Sequence, residues 1–254
     1  MTWTLITGAS GGIGRAFAGE LAARGHDLVL TARRVDELEA TAAAARAHGV
    51  RTEIVGADLA ERDGRRRLLD EVGSRGLEID TLVNNAGFGS IGRFAEVDAD
   101  RLEAEVDLDV QAVVHLCRAL LPPMLAAGRG TIINVASTAA FQPLPTMAVY
   151  AAAKAFVLSF SEALWDEVRG QGVKVIALCP GPTDTDFFTR AGADDVLTGR
   201  RTAEQAVRTC LDALDKGRPY AIDGLVNAVQ AEVAKRTPVR VAIPIARAVV
   251  RHRG

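Results

Sequence analysis

The sequence predicts an α/β fold: a doubly wound, parallel, seven-stranded sheet with helices on both faces. Short apolar runs rich in β-branched residues alternate with longer stretches whose apolar residues recur three or four apart, the pattern of repeated strand–helix crossovers. Several runs, such as Leu28-Val29-Leu30 and Val175-Ile176-Ala177-Leu178, are continuously apolar, as expected of strands covered on both faces. A glycine-rich turn, Thr7-Gly8-Ala9-Ser10-Gly11-Gly12-Ile13-Gly14, joins the first strand to the first helix.

Taken in order, the predicted strands are Thr2 to Thr7, Asp27 to Thr31, Arg51 to Ala57, Thr81 to Asn84, Gly130 to Val135, Lys174 to Leu178 and Tyr220 to Ile222. Helical periodicity fills the intervals over Arg15 to Arg24, Asp36 to His48, Glu61 to Arg75, Asp100 to Ala127, Val149 to Arg169 and Ala203 to Lys216. No linker rich in Pro, Gly or Ser divides the chain, so residues 1–254 read as one domain, with residues 237–254 as a basic tail. A ligand of such a fold is expected at the carboxyl ends of the strands.

A net charge of -2 argues against nucleic acid as the main partner, because binding phosphate backbones requires clustered Lys and Arg. Cys117, Cys179 and Cys210 are odd in number, form no C-x-x-C pair and lie in apolar segments, which suits a reducing cytoplasm. No signal-type leader and no uninterrupted apolar run of about 18 residues is seen, so a cytoplasmic location is expected.

The glycine turn follows a strand and opens a helix, where backbone must approach a diphosphate and helix N–H groups face the anion. Gly8, Ser10, Gly12, Ile13 and Gly14 are therefore candidate cofactor residues, although the Gly8-x-x-x-Gly12-x-Gly14 spacing differs from G-x-G-x-x-G. A plain strand-to-helix turn would explain one or two of these glycines but not four in seven residues. After the second strand, where an NAD site places a carboxylate on the ribose, the chain has Ala32-Arg33-Arg34. Guanidinium groups there suit a 2'-phosphate, so NADP(H) is expected, with NAD(H) as second choice.

Tyr150 and Lys154 are four apart in a helical segment and share one face. A free phenol has a pKa of about 10, and an adjacent ammonium is expected to lower it into the range of a general acid/base. Ser137, just past the strand ending Asn134-Val135-Ala136, falls at the ligand edge and could hydrogen-bond a substrate carbonyl; its plainer reading is a turn or helix cap.

Together these motifs resemble the short-chain dehydrogenase/reductase family over nearly the whole chain. The resemblance runs through Thr7-Gly8, Asn84-Asn85-Ala86-Gly87, Ser137, Tyr150-x-x-x-Lys154 and Pro180-Gly181-Pro182-Thr183-Asp184-Thr185. It implies a Rossmann-type sheet, Tyr150 as proton donor or acceptor, Lys154 on the nicotinamide ribose and Ser137 orienting the carbonyl. It further implies Asp58 and Leu59 near adenine, Asn85, Ala86 and Gly87 beside the cofactor, and Thr185 on the carboxamide, with Pro180, Gly181 and Thr183 in the same cofactor-binding segment. One departure stands out: aligning Val106-Asp107-Leu108-Asp109-Val110 puts Asp109 where the family carries a catalytic asparagine. The carboxylate is expected to alter the lysine and the proton relay.

Substrate contacts are expected from Phe88 to Phe94, Phe141 to Met147 and Phe187 to Gly199. Phe88, Phe94, Phe141, Leu144, Met147, Phe187 and Phe188 in these loops suggest a small apolar carbonyl or alcohol. In the tail, Arg240, Arg247 and Arg251 share a helical face opposite Ile243, Ala246 and Val250. Docking on the body or on a sister subunit of a homo-oligomer, a dimer or tetramer, is favoured over an anionic membrane. The rival functional reading is a protein that senses NADP(H) without turnover.

Overall fold

Runs of β-branched and aliphatic residues, too short for helices and apolar on both sides, pair into a single seven-stranded parallel sheet in the order β3-β2-β1-β4-β5-β6-β7. The computed structural model describes residues 2–185, 187 and 201–251, with backbone alone for 248–251. The strands are β1 (Trp3–Thr7), β2 (Asp27–Ala32), β3 (Thr52–Gly56), β4 (Ile79–Asn84), β5 (Gly130–Val135), β6 (Val173–Cys179) and β7 (Tyr220–Ile222). Each lies within about two residues of its predicted bounds, the usual fraying of element ends.

The helices are α1 (Gly12–Ala23), α2 (Val35–Arg46), α3 (Arg62–Ser74), α4 (Ala99–Val106), α5 (Ala112–Ala126), α6 (Ala148–Glu167), α7 (Ala203–Asp215), α8 (Leu225–Arg236) and α9 (Val239–Arg251). Two apolar layers form against the sheet: Phe17, Leu21, Leu38 and Leu211 pack on one face, and Leu68, Leu116, Met124 and Val157 on the other. The core is therefore split by the sheet, as helices on both faces require. Local signals set several boundaries. Asp98 caps α4 by accepting from the Arg101 amide, and Thr202 with Gln205 forms a reciprocal capping box at α7.

Three features depart from the sequence expectation. The single helix expected from Asp100 to Ala127 is broken by a π-helical turn, Asp107–Gln111, which turns Asp109 fully inward. The whole segment Ala99–Ala126 has the length and apolarity of a membrane span, yet it packs on β4 and β5 as a core helix. Helix α8 was not expected at all, although Leu225, Val229 and Val233 recur four apart after Gly224. In the tail the buried face of α9 is Ala242 and Ala246, which dock on the chain's own body, while Ile245 is exposed. Val250 and Arg251 lie outside the described side chains.

The sheet order reverses between β1 and β4, so the crossovers leave in opposite directions and open a crevice at the strands' carboxyl ends. Thr7, Ala32, Gly56, Asn84, Val135 and Cys179 end their strands along that edge. Every candidate motif follows one of them.

Candidate active site

The turn after β1 is shaped by close backbone approach. Gly8 has φ +64°, and a Cβ on it would meet the Ala86 backbone at 2.9 Å; one on Gly14 would meet the Gly8 carbonyl oxygen at 2.3 Å. The loop after β4 is laced to it. The Thr7 hydroxyl accepts from the Asn85 and Ala86 amides, both at 2.9 Å, and Asn85 Nδ2 donates to the Thr7 carbonyl at 2.9 Å. Behind them, Asn84 donates to Asn134 and Asn134 to Ser161, each at 2.9 Å, which satisfies buried amides between β4, β5 and α6.

A cavity of about 1160 Å³ runs along this edge. Of the expected cofactor residues, Gly8, Ser10, Gly12, Ile13, Arg33, Arg34, Asp58, Leu59, Asn85, Ala86, Gly87, Pro180, Gly181, Thr183 and Thr185 all line it, as do Ser137, Tyr150 and Lys154. Gly14 does not; it supports the turn from behind. Asp109 does not line it either, being wholly buried beneath Gly87 and Lys154. At the β2 end, Arg34 pairs with Glu37 at 2.6 Å and reaches Ser10 Oγ at 3.4 Å, while Arg33 pairs with Asp58 at 3.6 Å. These arrangements fit a dinucleotide: glycines leave room for a diphosphate, and two guanidinium groups flank the ribose end.

Ser137 accepts a hydrogen bond from the Ala139 amide at 3.1 Å, capping the 3-10 turn Thr138–Phe141, and its hydroxyl also reaches Tyr150. Ser137 therefore caps the turn and also lines the cavity. Tyr150 sits in the first turn of α6 with its ring 5.4 Å from that of Phe187. One turn on, Lys154 Nζ lies 5.6 Å from the Tyr150 ring centre, donates to the Val135 carbonyl at 3.2 Å and meets Asp109 Oδ2 at 2.9 Å. Asp109 Oδ1 accepts from the Phe88 amide at 3.1 Å. Gly87 allows this approach, since a Cβ there would stand 2.8 Å from Asp109 Oδ1.

Electrostatics correct one expectation. Burial is the largest influence on Tyr150 and holds its phenol above the ordinary value; Lys154 and Ser137 pull it down, while Asp109 and Glu105 push it up. The ammonium alone therefore does not bring the phenol toward neutrality. Burial likewise raises Asp109 against the pull of Lys154. For Lys154, burial is the largest influence and lowers it, but Asp109 and Tyr150 together outweigh it and the ammonium is held above its ordinary value.

Sequence reasoning missed two contributors. Glu105, fully buried one turn before Asp109, belongs to the same cluster; its signal was a carboxylate four residues ahead of another on a core-facing helix. Helix α8 supplies Asn227, Val229 and Val233 to the cavity mouth. Among the expected substrate residues, Phe88, Leu144, Met147 and Phe187 line the cavity. Phe94 is exposed instead, and Phe141 packs on Tyr220 beneath Lys235. Phe188 and residues 189–199 lie outside the described residues.

The model of the short chain dehydrogenase family matches residues 2–196. The chain is 38% identical over 196 residues to a sulfoacetaldehyde reductase of Chromohalobacter salexigens, covering 76% of this chain and 77% of that one. It is 35% identical over 185 residues, 70% of its length, to a very-long-chain 3-oxoacyl-CoA reductase of Anas platyrhynchos. A probable oxidoreductase of Mycobacterium tuberculosis is 29% identical over 250 residues, 96% of this chain. The chain spans 58% and 41%, respectively, of the length of these last two relatives. A solved short-chain dehydrogenase from Sphingobium yanoikuyae in complex with NADPH superposes with a TM-score of 0.83 at 32% identity, covering 94% of this chain and 97% of that one. The chain belongs to the short-chain dehydrogenase family.

Proposed function

We propose that this protein is an NADP(H)-dependent carbonyl reductase, or alcohol dehydrogenase in reverse, with Tyr150 as its general acid/base. The observation that carries the reading is the convergence of Ser137, Tyr150 and Lys154 on one wall of the cavity that also holds the glycine turn and both arginines. A bound nicotinamide supplies or accepts the hydride. Tyr150 gives its hydroxyl proton to the carbonyl oxygen during reduction and takes it back in oxidation; Ser137 holds that oxygen by a hydrogen bond. Lys154, held by Asp109 and the Val135 carbonyl, keeps its charge beside the phenol as phenolate develops.

Preference for NADP(H) follows from Arg33 and Arg34, which directly follow β2 in place of a carboxylate and line the cavity there. The Sphingobium structure holds NADPH, consistent with this choice. The substrate is read as apolar because Phe88, Ile91, Leu144, Met147 and Phe187 line the cavity past Tyr150. Exposed Val106 and Val114 on the α4–α5 segment and Phe156 on α6 support a homo-oligomer. The testing experiment is oxidation of NADPH and NADH against a panel of apolar ketones and aldehydes, with Tyr150→Phe as control. Turnover that favours NADPH and vanishes in the control supports the reading; tight NADPH binding with no turnover on any compound supports a sensor instead.

A further inference from the structure

Two carboxyl groups, not one, stand behind the candidate active site. Glu105 has no exposed surface and lies one turn before Asp109. Its neighbours come from three elements. Ser90, after β4, lies against its carboxyl group, yet among the described residues both Glu105 carboxyl oxygens and Ser90 Oγ are buried without a hydrogen-bond partner. Arg101 and Asp109 act on it from its own helical segment, and it acts in turn on Lys154 and Tyr150 of α6. Lys154 makes its one ion pair of this cluster with Asp109. A buried carboxyl with imperfect hydrogen bonding is costly, and a hydrocarbon of similar volume would fill the position at less cost.

The charge balance then has a simple consequence. The Lys154 ammonium offsets the Asp109 carboxylate, and the Arg101 guanidinium donates to the Gly89 carbonyl and stacks on Phe88. When the second carboxyl ionises, the excess negative charge sits in a low-dielectric region beside a phenol whose ionised form is also negative. We infer that Glu105 is a positioning residue that, acting through the Asp109–Lys154 pair, sets the pH range in which Tyr150 exchanges its proton. Its catalytic meaning rests on the proposed role of Tyr150, whereas its effect on the phenol does not.

The chain has only two tyrosines, Tyr150 and Tyr220, so a Tyr220→Phe background leaves Tyr150 as the sole phenol. Phenolate absorbance is then titrated in the protein alone, with circular dichroism at each pH to follow the fold. Glu105→Gln, which keeps size and loses the ionisable group, is expected to move the Tyr150 midpoint to lower pH. Glu105→Met, a second variant that fills the same space, is expected to move it the same way. The pH limb of turnover on a ketone found in the panel should shift in parallel, with KM unchanged. A purely structural role predicts that Glu105→Gln superimposes on its parent in both measurements, and that result overturns the inference. A shifted titration without turnover on any ketone sinks the proposed function and leaves the inference standing; turnover with an unmoved titration does the reverse.

Discussion

Lys154 and Asp109 form a buried ion pair, 2.9 Å from Nζ to Oδ2, with side chains 7% and 0% exposed. Such a pair contributes little net stability, because removing both charges from water costs about as much as their attraction returns. Its consequence is geometric. With the Val135 carbonyl as a second acceptor, Nζ is fixed one turn from Tyr150.

Asp109→Asn is expected to retain or raise ketone reduction at neutral pH. The amide has nearly the same shape, its oxygen can still accept from the Phe88 amide, and a negative charge opposing the phenolate is removed. Steady-state kinetics with NADPH checks this; a fall of more than about tenfold in kcat would show that the carboxylate has a role of its own.

Lys154→Met is expected to lower kcat by about 10²- to 10⁴-fold at neutral pH, the usual worth of an acid/base system, with the fold intact. Asp109, left without its cation, takes up a proton rather than remain buried and charged. Near-normal turnover of a folded variant refutes the role given to Lys154.

Arg34→Ala is expected to raise KM for NADPH by roughly 10- to 100-fold and leave NADH almost unchanged, the scale of a lost charge-assisted hydrogen bond. Arg33→Ala should act in the same direction but less, since its side chain is 72% exposed and shares its charge with Asp58. Equal losses with both cofactors would remove the assignment of a 2'-phosphate site.

Gly14→Ala places a methyl 2.3 Å from the Gly8 carbonyl oxygen and 2.5 Å from Asn85 Nδ2, so the turn must open. A loss of about 2 kcal/mol or more is expected, of the size seen for overpacking. Gly11→Ala meets nothing within 4 Å and has extended backbone, so its stability should stay within about 0.5 kcal/mol of the parent. Urea unfolding of the pair decides; similar midpoints would show the turn to be looser than described.

Stability should respond to pH through Glu105. Burial, first among its causes, raises its carboxyl above the ordinary value, so the folded state holds that proton more tightly than the unfolded one. The stabilisation is complete below the unfolded carboxylate range, near pH 4, and is lost as pH rises through the folded value. Glu105→Gln should therefore be more stable than the parent at neutral and alkaline pH, with the gain shrinking in acid. Denaturant melts across pH test the sign, and a constant difference contradicts it.

Much of this was legible along the chain. Continuous apolar runs announced the strands, because a strand covered on both faces needs no alternation, and the glycine spacing marked the cradle. The β1–β4 reversal itself was not legible, since pairing order depends on long-range contacts. Helix α8 escaped because its apolar residues are largely exposed: Leu225 and Val226 are 82% and 70% accessible, so they form no core-facing stripe. Phe94 and Phe141 were misplaced for a related reason. Loop position tells which edge a residue is near, not whether it points into the cavity.

The sequence by itself determined the strand–helix alternation, the phosphate-facing turn, the paired arginines and the Tyr150–Lys154 spacing, since each depends on residues close along the chain. Only the tertiary structure decided the environment of those groups. A π-helical turn brings Asp109 under Lys154, and with Glu105 it sets two buried carboxyls beside one buried ammonium. Burial and charge there depend on elements far apart in sequence, and they hold the phenol above its ordinary value where spacing alone predicts the opposite.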